Sequence, residues 1–134
     1  MKKSSRPSTP SPPPALHPLE AEVMDVIWDR GEASVREVME VVERTAEKPR
    51  AYTTYMTILG RLDKKGLVTR RREGKTDHFS PVTSREAYAD LRAQAEVAAI
   101  VDAFGDVALG HFARQMAELD PERRSALERL ARGR

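Results

Sequence analysis

Cysteine is absent from the chain, which excludes disulfides, thiolate metal sites and cysteine nucleophiles. That absence fits a reducing cytoplasm, where such bridges are rare. Aromatic residues are scarce: three Phe, three Tyr and one Trp are too few to line a large enclosed pocket. No apolar run approaches the ~18 residues of a membrane span. The N-terminus has Lys2, Lys3 and Arg6 but no hydrophobic core segment after them, so a signal peptide is not expected. Nucleophile-elbow, P-loop and dinucleotide signatures are missing. The three histidines, His17, His78 and His111, are too far apart in sequence to suggest a metal-ligand set. No enzymatic activity and no cofactor are therefore expected.

What is present is charge, and its distribution matters more than its sum. The whole chain carries only +2. Residues 48–75 hold nine Lys/Arg against two acids, a net of +7. Residues 18–47 come to −6, and residues 76–134 to −2. A basic block on a near-neutral chain is the electrostatic footprint of a nucleic-acid binder.

The chain is organised in three parts. Residues 1–16 form a tail with five of the nine prolines and little to drive burial, expected to be disordered. Residues 17–82 alternate helix signals with turn signals. A first helix is expected from Pro18 to Arg30, with Leu19, Val23, Val26, Ile27 and Arg30 at 3–4 spacing. Met24 and Trp28 lie beside that stripe, Trp28 as a core residue, and Glu20, Glu22, Asp25 and Asp29 line the exposed side. Ser34 and Glu37 have the spacing of a capping box for a second helix reaching about Thr45, with Val35, Val38, Met39 and Val42 inward. A third helix is expected over 51–65. Tyr55, Ile58, Leu59 and Leu62 share its inner face, and Thr53, Thr57, Gly60 and Lys64 lie opposite. Strands over 67–72 and 76–80 flank a turn at Glu73-Gly74-Lys75. Three helices and a hairpin in this order make a winged helix-turn-helix DNA-binding domain in a mainly α protein.

A winged helix places its third helix in the major groove, so its exposed N-terminal half must read bases. Thr53, Thr54, Met56 and Thr57 are the candidates. Arg50, Arg61, Lys64, Lys65, Arg70, Arg71, Arg72 and Lys75 are candidates for phosphate contacts. Successive strand residues point to opposite faces, so at most two of Arg70, Arg71 and Arg72 can act together.

Residues 83–134 read as thin amphipathic helices that cannot bury a core by themselves. Thr83 with Glu86, or Ser84 alone, can cap a helix to about Phe104. Tyr88, Leu91, Ala95, Ala98, Val101, Phe104, Phe112 and Met116 are its candidate contacts with a second copy, and a homodimer is expected.

The segments LHPLEAEVMDVIW at 16–28, AYTTYMTILGRLDKKGLV at 51–68, REGKTDHFSPV at 72–82 and DAFGDV at 102–107 resemble the penicillinase-repressor family of bacterial transcription factors, the BlaI/MecI/CopY group. The resemblance implies a cytoplasmic homodimer that binds double-stranded DNA at a palindromic operator and represses nearby genes. It puts base contacts on Thr53, Thr54 and Thr57, and matches Arg61 to a family Arg. It also implies release through a membrane sensor-protease system that cleaves the C-terminal domain, without membrane insertion by the repressor itself. The family's Asn-Phe cleavage bond is replaced here by His111-Phe112, and the C-terminal cysteines of the copper-responsive branch are missing. The competing reading is a winged-helix module that binds a protein partner and no DNA.

Overall fold

The structure, a computed structural model, describes residues 12–133. The chain divides into two compact units, with the boundary between Arg92 and Ala93.

In the first unit, helix α1 spans Pro18–Arg30. Pro18 occupies its first turn, where the missing N–H is not needed. The Glu20 carboxylate accepts the His17 backbone N–H at 2.9 Å, and Gly31 (φ 83°) ends the helix. Strand β1 is Ala33–Ser34, and helix α2 is Val35–Glu43. The capping box forms as expected: Ser34 Oγ accepts the Glu37 N–H at 3.2 Å, and Glu37 accepts the Ser34 N–H at 2.9 Å. Helix α3 is Tyr52–Lys64, β2 is Val68–Glu73 and β3 is Thr76–Pro81.

The three strands form an antiparallel sheet in the order β1-β3-β2. Arg70 stands opposite Phe79, Arg72 opposite Asp77 and Glu73 opposite Thr76. The hairpin thus closes over two residues, with Gly74 (φ 63°) at the first central position, as type II′ turns favour.

One core joins these elements. Val23, Met24 and Ile27 of α1 meet Val38 and Val42 of α2, Tyr55, Leu59 and Leu62 of α3, and Val68 and Phe79 of the sheet. Trp28 and Tyr88 pack at its edge. Val35 and Met39 are only partly buried.

Four expectations need correction. Glu20 does not lie on the exposed face of α1: it is fully buried. It sits three and seven residues before Val23 and Ile27, on the apolar stripe itself, and its charge hid that position. Residues 12–16 are not free of the fold. The Pro14 carbonyl accepts the Tyr88 hydroxyl at 2.6 Å, the Pro13 carbonyl accepts Arg92 Nη1 at 3.0 Å, and Leu16 packs against the core. The expectation for residues 1–11 lies outside the described residues. Tyr88, expected among the dimer contacts, packs within this unit, its ring 5.5 Å from that of Trp28. The unit therefore runs past residue 82. Arg85, bonded to Asp29 at 2.8 Å, and Trp28 Nε1, donating to the Thr83 carbonyl at 2.8 Å, hold the start of the next helix onto α1.

That helix, α4, spans Arg85–Phe104 and is capped by Ser84, whose Oγ accepts the Ala87 N–H at 3.0 Å. In the second unit, Gly105 (φ 58°) separates α4 from α5, Asp106–Ala117, and α6 follows as Pro121–Arg132. Asp120 caps α6 by accepting the Arg123 N–H at 2.8 Å. Arg124 closes the end of α5 by donating to the carbonyls of Met116, Ala117 and Leu119. Among the described residues of this unit, Ala108 is the one buried apolar side chain. Val97, Ile100, Phe104, Val107, Leu109, Phe112 and Leu130 are exposed, and Val101 and Met116 are partly covered.

Candidate nucleic-acid interface

Helix α3 has two sharply different sides. Tyr55, Ile58, Leu59 and Leu62 are buried. Thr53, Met56, Thr57, Arg61 and Lys64 are exposed, with Thr54 and Gly60 partly covered. The side chains expected to read bases therefore lie together on one open face. Apart from its chain neighbours and the helix's own backbone, no heavy atom would lie within 4 Å of a Cβ added at Gly60, so a side chain there would enter open space.

Carboxylates fix both ends of this helix. At its start, the Tyr55 hydroxyl donates to Glu43 at the end of α2, and Glu43 also accepts the Arg50 N–H at 3.2 Å. Arg50 Nη1 stands 3.9 Å from Glu43 and 3.5 Å from the Tyr55 hydroxyl. Burial first, and then donation to Glu43, push the Tyr55 hydroxyl above its ordinary pKa. At the far end, Lys65 Nζ donates to both oxygens of buried Glu20, at 3.0 and 3.1 Å, and Arg61 Nη1 lies 3.6 Å away. Burial raises the Glu20 pKa, but the His17 N–H and the bond and charge of Lys65 outweigh it, and the net shift is downward. Lys65, expected to hold phosphate, is thus turned inward onto a carboxylate.

The wing is not a set of free cations either. Arg70 and Arg72 share the face of the hairpin that carries Asp77 and Phe79. Arg70 bridges Asp63 of α3 (3.2 Å) and Asp77 (3.4 Å), with its guanidinium 5.2 Å over the Phe79 ring. Arg72 lies 3.5 Å from Asp77 and donates to the Gly74 carbonyl. Arg71 points the other way, to Glu32 (2.9 Å) and Glu73 (3.0 Å). Its bond to Glu32 leads the causes that raise its own pKa, and the same bond lowers that of Glu32. The alternation read from the strand is thus present. Among the described residues, Lys64 and Lys75 have no acidic partner.

Between α3 and the wing lies an open cleft of about 500 Å³, bordered by Tyr52, Met56, Arg36, Arg72, Lys75 and Asp77. Arg36 stacks 5.7 Å over the Tyr52 ring. Neither residue was singled out in the sequence. Their one signal is exposure at the first turns of α2 and α3, which face the same cleft.

Comparison with known proteins decides what this arrangement belongs to. The family described as "Penicillinase repressor" matches residues 16–132. The chain belongs to the penicillinase-repressor family. The protein named "Transcriptional regulator BlaI" in Mycobacterium tuberculosis, in strains CDC 1551 / Oshkosh and ATCC 25618 / H37Rv, is 38% identical over 117 residues. The match covers 84% of this chain and 83% of the relative. Among solved structures, that titled "Solution structure of the DNA binding domain of the repressor BlaI" is 30% identical with a TM-score of 0.50. It covers 57% of this chain and 90% of that domain. The fold is therefore the winged helix of this family, followed by C-terminal helices.

In this penicillinase-repressor family member, Thr53, Met56 and Thr57 are exposed on α3, with Thr54 partly covered beside them. The phosphate candidates divide. Among the described residues, Lys64 and Lys75 make no ion pair. Arg50, Arg61, Lys65, Arg70, Arg71 and Arg72 are each within 4 Å of an acidic partner.

Proposed function

We propose that the chain is a sequence-specific DNA-binding repressor of the cytoplasm, acting as a homodimer on an operator of two-fold symmetry and catalysing no reaction. The open face of α3 carries this reading. A helix whose apolar stripe is fully buried presents three threonines, a glycine and two cations outward, beside a cleft edged by Arg72 and Lys75. Thr53, Thr54 and Thr57 offer hydroxyls to base edges and methyls to thymine, and Met56 adds an apolar contact. Lys64 and Lys75 hold phosphates directly, and Arg61, Arg70 and Arg72 join them by exchanging a carboxylate for a phosphate. The likeness to a domain described as the DNA-binding domain of BlaI supports this assignment.

The dimer is supported by the second unit. Val97, Ile100, Phe104, Val107, Leu109 and Phe112 are exposed on helices that bury almost nothing. A second copy would cover them, and two-fold symmetry would set half-sites about one helical turn, roughly 34 Å, or a multiple apart. Release by proteolysis in this unit fits the exposure of His111 and Phe112. Their bond lies inside α5, so a protease would engage it only after local unwinding.

The test is fluorescence anisotropy with two duplexes. One is enriched by the protein from a random library, and the other is its scrambled counterpart. Thr54→Ala and Thr57→Ala should lose affinity for the enriched duplex and little for the scramble. Lys64→Ala should weaken both about equally and flatten the salt slope by about one unit. Equal loss on both duplexes for the threonine variants would refute their role. Failure to enrich any duplex would refute DNA binding and favour a protein partner.

A further inference from the structure

The wing arginines face acids that belong to the same surface, and this arrangement has a functional consequence. Asp77 projects from β3 into the cleft between α3 and the wing, where it receives Arg70 and Arg72 together. Its Oδ1 is buried yet accepts no hydrogen bond from the described residues. Asp63, on the last turn of α3, holds the other side of Arg70. Arg70 and Arg72 are the two wing arginines that share a face, and both are ion-paired with carboxylates, at 3.2 and 3.4 Å for Arg70 and 3.5 Å for Arg72.

We propose that Asp77 and Asp63 are affinity-limiting residues of the DNA-binding surface: their carboxylates stand in for phosphate on Arg70 and Arg72, and so hold down binding to every duplex. The proposal rests on the DNA-binding reading above. Any duplex that approaches the wing must displace these carboxylates from the arginines and bring its phosphates near two negative charges. The cost is the same on random DNA and on a recognised sequence, where the threonines of α3 add affinity of their own. The acids therefore lower affinity for all DNA, and the base contacts set the ratio between sequences. This differs from the usual reading of a basic wing, in which every cation adds affinity and an acid beside it is incidental.

Asp77→Asn keeps volume and an acceptor for Arg70 while removing the charge, and Asp63→Asn does the same at the more exposed position. Each should raise affinity for the scrambled duplex about three- to tenfold near 0.1 M salt, and the double variant further. Because one more arginine then meets phosphate, the slope of log K against log salt on the scramble should steepen by about 0.9. Affinity for the enriched duplex should rise by about the same factor, so the ratio between the two duplexes holds. Unchanged or weaker binding to either duplex would overturn the proposal. Melting temperature checks the fold of each variant, and if Asp77→Asn fails to fold, Asp63→Asn alone reads the same exchange at Arg70. A wild-type protein that binds neither duplex would overturn the DNA-binding reading instead.

Discussion

Replacing Gly60 by Ala should make the protein more stable and a poorer DNA binder at once. Gly60 lies inside α3 with helical backbone, and the added Cβ would meet nothing within 4 Å. Glycine in a helix interior costs about 0.8–1.0 kcal/mol against alanine, because the unfolded chain loses more freedom. With no clash to subtract, the variant should gain nearly all of that, about 0.8 kcal/mol. For a unit of roughly 80 residues, unfolding entropy at about 2.1 cal/mol/K per residue converts the gain into about +5 °C in melting temperature. The same methyl would project from the face that carries Thr53, Thr57 and Lys64. If that face lies in a groove, the helix backbone is pushed outward at its closest approach, and affinity for the enriched duplex should fall about tenfold. Thermal denaturation by circular dichroism and anisotropy on one preparation give both numbers. Opposite signs are the essential result, because a merely destabilised protein would lose both. A lower melting temperature would refute the open space around Gly60. A higher one with unchanged DNA affinity would place Gly60 away from the DNA.

Four further outcomes follow from the packing. Glu20→Ala leaves Lys65, three-quarters buried, without its partner, and should destabilise the first unit by about 2–4 kcal/mol in urea unfolding; Glu20→Gln should cost less. The folded pKa of Glu20 is depressed, so its stabilising contribution is present above the ordinary glutamate value, about 4.3, and is lost as pH falls through the folded value. A wild-type stability curve no steeper than that of Glu20→Gln below pH 5 would refute this. Ser34→Ala removes the capping acceptor of α2 and should cost about 1 kcal/mol by the same assay. Tyr88→Phe removes the hydroxyl bond to Pro14 and should cost about 1 kcal/mol; sedimentation should show its oligomeric state unchanged, since Tyr88 packs on Trp28. Phe104→Glu with Val107→Glu should shift sedimentation toward monomer and weaken binding to a two-half-site duplex more than to a single half-site.

Most of the elements could be read from the chain because the signals that set them act over three or four residues. Pro18, Ser34, Glu37, Gly31, Gly74, Ser84 and Asp120 all act where their types suggest. The stripe Tyr55, Ile58, Leu59, Leu62 announced which side of α3 is buried, and so which side is left for a ligand. The weaker readings were those in which charge was taken as proof of exposure. Glu20 is charged and lies at the centre of the packing, where two cations of α3 and its neighbouring turn reach it. Helix α2 stops at Glu43, short of Thr45, and Glu43 then reaches across to Arg50 and Tyr55 at the start of α3. Tyr88 has the spacing of the dimer candidates but is taken up by Trp28 and the Pro14 carbonyl.

The sequence by itself determined the helices, their caps, the hairpin and the open face of α3, since hydrogen bonds and amphipathic spacing within an element depend on near neighbours. It also determined the size of the basic block. Only the tertiary structure decided how much of that charge is available. Glu20, Glu32 and Asp77 come from outside the block, from elements whose positions follow from packing α1 and the sheet around α3. A Coulomb interaction acts through distance in space, so residues 39 or 45 positions apart in the chain neutralise each other once the core has brought them to 3 Å.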